Sequence, residues 1–176
     1  MNLTYLRTTH ALLAALAAIL MAGCSGSSDN VQLSGPDPTA LSLTASTPNG
    51  LTATLAQDKS TIPVSSGTVT YTLTLTNNGT TAVTVFAPSD AKGGPLPPVT
   101  LTVTGSDGGQ VYPGAGSNSP PAPGPAQSVT LQPGGFLSET ITLPGAFPTI
   151  GRYAATATFT TGGAATVAGP LILTAR

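Results

Sequence analysis

The stretch Thr68-Val69-Thr70-Tyr71-Thr72-Leu73-Thr74-Leu75-Thr76 decides the fold class. Its apolar residues return at every second position and threonine fills each place between, so Val69, Tyr71, Leu73 and Leu75 face one way and the hydroxyls the other. An amphipathic helix would need a period of about 3.6 instead. Threonine is β-branched and already restricted at χ1, so it loses little freedom on the solvated side of a pleat. The stretch predicts a half-buried strand. The same alternation sets Val99, Leu101 and Val103 against Thr100, Thr102 and Thr104, and Tyr153, Ala155, Ala157 and Phe159 against Thr156, Thr158 and Thr160. Val83 with Val85 and Leu171 with Leu173 are shorter versions, and beyond residue 23 no segment carries a sustained helical stripe.

Turn signals separate these runs at the spacing of an antiparallel sandwich. Asn77-Asn78-Gly79 is expected to close a tight hairpin between the Tyr71 and Val83 strands, and Asp107-Gly108-Gly109 to do so between Val103 and Val111. Asn78-Gly79-Thr80 also fits a glycosylation acceptor, a role the hairpin outweighs. Glu139 breaks the pattern, since alternation places it inward with Leu137, Ile141 and Leu143. A bulge or an edge position is the preferred account, a catalytic acid the other. The run from Pro113 to Gln127 holds Pro113, Pro120, Pro121, Pro123 and Pro125, carries no charge, and reads as a long loop, a spacer rather than a binding loop.

Composition narrows function. The chain of 176 residues has 5 Lys or Arg against 6 Asp or Glu, a net charge of -1, which provides no basic surface for a nucleic-acid backbone. Past residue 23 it has no His, Met or Trp, and Cys24 is its one cysteine. Ser-His-Asp and Cys-His sites, zinc cages and soft-ligand copper sites therefore lack their residues, and neither a cofactor nor a metal is expected. Paired carboxylates remain from Asp29, Asp37, Asp58, Asp90, Asp107 and Glu139, although turn chemistry accounts for most of the aspartates. No catalytic residue is assigned.

The N-terminus reads as a targeting segment. Arg7 and His10 precede an apolar run from Ala11 to Ala22, shorter than the roughly 20 residues that span a bilayer. Leu20-Met21-Ala22-Gly23-Cys24 resembles the lipobox of bacterial lipoproteins. The resemblance implies a signal peptide over residues 1–23, cleavage before Cys24, a diacylglycerol on its thiol, and a fatty acyl group such as palmitate on its new amino group. The membrane would then be held through lipid on Cys24. Residues 24–40, small and polar with Pro36 and Pro38, read as a flexible tether, and residues 41–176 as the sandwich. Ser25 stands where an Asp would signal inner-membrane retention, so the expected place is the cell envelope, facing periplasm or exterior, with the outer membrane favoured.

Four elements carry a second resemblance. The Asn-rich turn at Asn77 to Gly79, the Gly hairpin leading to an aromatic at Gly108 to Tyr112, Leu131 to Gly134, and Gly151 to Tyr153 are similar to bacterial immunoglobulin-like sandwiches. They resemble above all the intracellular proteinase inhibitor (BsuPI) type, over roughly residues 60–162. This implies an all-β, immunoglobulin-like antiparallel β-sandwich of about seven to eight strands. Tyr153 is placed like the tyrosine of a tyrosine corner, with its hydroxyl expected on upstream backbone. The favoured function is a lipid-anchored envelope protein whose sandwich is a non-catalytic interaction or structural module with a protein partner. A BsuPI-type proteinase inhibitor is the alternative, and an acid-pair hydrolase the third.

Overall fold

A computed structural model describes residues 41–114 and 122–176. The signal segment, Cys24, the tether, and Pro120 and Pro121 of the long loop lie outside the described residues. Those described form eleven strands and no helix: β1 (Leu41–Ser46), β2 (Thr52–Gln57), β3 (Thr61–Ile62), β4 (Thr68–Thr76), β5 (Val83–Ala87), β6 (Val99–Gly105), β7 (Gln110–Tyr112), β8 (Gln127–Leu131), β9 (Phe136–Pro144), β10 (Gly151–Thr161) and β11 (Ala164–Ala175). One sheet runs β1-β2-β4-β9, a second β3-β11-β10-β6-β7, and β5 pairs with β8 in a ribbon of its own. All pairings are antiparallel except β3 on β11.

The alternation of β4 holds at every residue: Val69, Tyr71, Leu73 and Leu75 are fully buried and the threonines half-exposed. On the facing sheet Leu101, Val103, Tyr153, Ala155, Ala157, Phe159, Leu171 and Leu173 complete one core. Outward threonines meet across strands, as in Thr44 with Thr54, Thr74 with Ser138 and Thr70 with Thr142. Eleven strands form rather than the expected seven to eight; among them β3 and β7 are only 2 and 3 residues long, too short to show a period.

Leu171 and Leu173 close a strand of 12 residues rather than a short one. Its hairpin with β10 turns at Gly162-Gly163, where φ angles of 61° and 81° suit a two-residue turn. Pro170 has no N–H for the ladder, and the register shifts opposite it between Ala155 and Ala157. Gly169 (φ 118°) lets the backbone pass there, since a Cβ would meet the Ala155 carbonyl oxygen at 2.7 Å.

The expected Asn77-Asn78-Gly79 hairpin is corrected. β4 pairs with β2 and β9, while β5 lies in the ribbon with β8, so this segment carries the chain between sheets. Asn77 is 1% exposed and acts as a clamp. Its Oδ1 accepts the Gly79 N–H at 3.0 Å, and its Nδ2 donates to the Thr81 and Leu131 carbonyls at 2.8 and 2.9 Å. Its backbone exchanges bonds with Gly134 and Gly135. An Asn before Gly signals a buried Asx turn as readily as a hairpin, and which one forms depends on what surrounds it. The Asp107 hairpin does form: Gly105 N–H reaches Gly109 O at 2.8 Å, Gly108 has φ 79°, and Asp107 Oδ1 accepts the Gly109 N–H at 2.9 Å.

The long loop is shorter than 113–127. Gln127 opens β8, and the segment before it is tied down, Gly124 N–H donating to Ser89 O at 2.8 Å and Ser89 Oγ to Pro125 O at 3.1 Å.

Candidate functional site

Two sheet edges end close together on one side of the sandwich. β9 is an edge strand, paired with β4 residue for residue from Phe136 to Pro144 and, among the described residues, with nothing on its other flank. β7 covers β6 only at Val103 and Thr104, so among the described residues Val99 to Thr102 also lack a strand neighbour on that flank. Between these edges lies a cleft of about 600 Å³, a size suited to a small ligand or a few side chains. Ser138, Glu139, Thr140 and Ile141 form one wall, and Val99, Thr100, Leu101 and Tyr112 the opposite one.

The third wall is the β5–β6 connection, with Pro88, Ser89, Asp90, Ala91, Leu96 and Pro97. Its shape follows from its sequence. Asp90 Oδ1 accepts the N–H groups of Lys92 and Gly94 at 2.8 and 2.7 Å, Gly93 takes φ 83°, and Ser89 bridges to Pro95. Gln127 adds a bond from Nε2 to Gly93 O at 3.2 Å. Pro113, Ala122 and Pro123 stand at the rim.

Glu139 sits in this cleft at an edge, with no register shift in β9, so of the two preferred accounts the structure takes the edge and not the bulge. Its side chain shares the inward face with Leu137 and Ile141, is half-buried, and makes no hydrogen bond or ion pair among the described residues. Burial pushes its pKa above the usual carboxylate value. Tyr112, facing it, is raised by burial first and by the Glu139 charge second. Among the described residues no Lys, Arg or His lines the cleft.

Of the other acids, Asp58 is held by the Thr70 N–H at 2.7 Å and Lys59 at 3.5 Å, and Asp107 by its hairpin. Among the described residues only Asp90 shares a cavity with Glu139, and the Asp90 carboxylate is engaged by its own turn. Among the described residues no group of three or more His, Cys, Asp or Glu could hold a metal, and no helix is long and apolar enough to cross a membrane. Cys24, the one site residue assigned from sequence, lies outside the described residues. The departure of Glu139 from alternation marked one wall in advance. Tyr112 and the β5–β6 connection had no such mark, because their roles depend on where β7 stops.

Tyr153 is 3% exposed, and its hydroxyl donates to the Thr149 carbonyl at 2.8 Å while the Thr149 N–H approaches it at 3.3 Å. Its ring packs edge-on to Phe147, centroids 4.9 Å apart at 76°. The upstream backbone bond expected of it is present.

The chain is an all-β, sandwich-like domain. No family model matches it, and no curated protein does. Among solved structures it is similar to a β-glucosidase from Erythrobacter marinus, at 14% identity and a TM-score of 0.37, over 72% of this chain and 15% of that one. A likeness of that size carries nothing about activity.

Proposed function

We propose that this chain is a lipid-anchored envelope protein whose β-sandwich works as a non-catalytic interaction module, attached through lipid on Cys24. The observation that carries the module reading is the cleft between two bare backbone edges. Such edges are where proteins accept a further strand from a partner, and one left without a neighbour must otherwise be blunted. The lipobox Leu20-Met21-Ala22-Gly23-Cys24 supports the anchor and a place in the cell envelope, with the outer membrane favoured.

The finer fold reading is immunoglobulin-like. Taking β2, β4, β6, β9, β10 and β11 as strands A, B, C, E, F and G reproduces the A-B-E and C-F-G sheets of that fold. Tyr153, at the start of β10, then stands where a tyrosine corner stands, close to the second strand of the C-F pair. A second reading, a BsuPI-type proteinase inhibitor, is favoured by where the elements of that resemblance fall, just after β4, between β6 and β7, at the end of β8 and at the start of β10.

The deciding experiment for the anchor is the mass of the chain extracted from membranes, with labelling by a fatty-acid analogue. Cys24→Ser should lose the label. For the module, crosslinking in native membranes should capture a protein partner. Incubation of the chain with a serine-protease panel separates the two readings, with no inhibition expected.

A further inference from the structure

We infer that the β9–β6 cleft is a docking site for an extended segment of a partner protein that places a Lys or Arg side chain against Glu139. This deepens the interaction-module reading and rests on it.

Charge complementarity selects the occupant. Glu139 is held inward by β9, half-buried, with no cation or hydrogen-bond donor of the described chain on it. The four cations beyond residue 23 are Lys59, Lys92, Arg152 and Arg176, and none lines the cleft. A carboxylate taken partly out of water without a partner costs free energy, and a cation arriving from outside recovers it. The walls suit the rest of such a side chain. Leu96, Val99 and Ile141 offer apolar surface for a methylene stem.

The backbone selects an extended peptide over a free amine. Consecutive residues of β9, from Ser138 to Ile141, all line the cleft, so its wall is the strand's edge and not only one side-chain face. Alternate N–H and C=O groups of an antiparallel edge strand point away from its one partner, here β4, toward the space a further strand would fill. Pairing there would supply main-chain bonds while the basic side chain sets the register.

The test uses the full chain and a fluorescent nonapeptide with Arg at its centre, Val two residues to either side on the same face, and Ser elsewhere. Three comparison ligands are the same peptide with citrulline in place of Arg, the Arg peptide N-methylated at alternate residues, and arginine amide. The Arg peptide should bind about tenfold or more tightly than the citrulline peptide, because only the former neutralises Glu139. Glu139→Gln should abolish that difference and leave citrulline binding unchanged, and Glu139→Asp, charged but shorter, should fall between. N-methylation should weaken binding, and arginine amide should bind far more weakly than the peptide. Melting of each variant verifies the fold. Absent binding of the Arg peptide, equal affinity for Arg and citrulline, a Glu139→Gln chain that still distinguishes them, or arginine amide matching the peptide would overturn the proposal. A partner crosslinked in membranes whose capture ignores Glu139→Gln would leave the module standing and overturn this site.

Discussion

Two buried tyrosines in this chain should respond in opposite directions to the loss of one oxygen. Tyr153 spends its hydroxyl on Thr149, so Tyr153→Phe is expected to cost on the order of 0.5–1.5 kcal/mol in chemical denaturation. Tyr153→Ala should cost about 3–5 kcal/mol through the cavity beside Phe147. The Tyr71 hydroxyl and the Gln57 Oε1 are buried without partners, on residues that face each other across β2 and β4. Tyr71→Phe removes an unpaired polar atom and should leave stability unchanged or raise it. A Tyr71→Phe loss as large as that of Tyr153→Phe would contradict the geometry. Glu139 adds a pH dependence. Its pKa in the folded chain lies above the ordinary 4.5, so between those values the folded state binds more protons than the unfolded, and stability falls as pH rises through that window. Half-exposure keeps the effect small. The wild type should gain on Glu139→Gln as pH drops from neutral toward about 4, and melting curves that run parallel throughout would refute the burial of that carboxylate.

Among the elements, the β10–β11 hairpin and the Asn77 clamp show how local chemistry becomes topology. Gly169→Ala would place a Cβ against the Ala155 carbonyl at a φ that side chains avoid, and should cost about 1–3 kcal/mol. Gly50→Ala is the comparison with a φ of 79° and nothing near the added carbon, so it should cost less than Gly169→Ala, which meets both a φ of 118° and the Ala155 carbonyl. Alternation made β4, β6 and β10 legible residue by residue, since one face of each is buried and a slip of one place would expose the whole apolar set. It left β3 unseen, and the Asn77 segment misread as a hairpin, because the partner of a strand end is chosen by what else packs there. The Asn77 side chain reaches Leu131, a residue 54 positions away in sequence, a contact that no local pattern contains.

At the scale of the whole molecule, the chain joins a head held by one apolar core to an N-terminal segment read from motif alone. On the proposed reading the attachment rests on Cys24: the 4 basic residues after residue 23 make no polybasic patch for anionic lipid, and no helix of the described residues is long and apolar enough to cross a membrane. Each buried methylene is worth about 0.8 kcal/mol, and two or more acyl chains anchor stably where one does not. Cys24→Ser should therefore move the chain out of the lipid-modified membrane fraction, and an unmodified Cys24 in protein recovered from membranes would overturn the anchor. The sequence by itself determined the all-β class, the inward and outward faces of β4, β6, β9 and β10, the Asp107 hairpin and the oddity of Glu139. Each follows from a repeat of two or from the needs of one turn, which are local. Tertiary structure alone decided that β9 and the first half of β6 end as neighbouring bare edges, that Asp90, Tyr112 and Glu139 share one cleft, and that no cation lines it. Those facts depend on pairings between strands far apart in the chain, such as Thr68 with Pro144 and Val99 with Phe159, and pairing at that range is set by how the two sheets bury their apolar faces together.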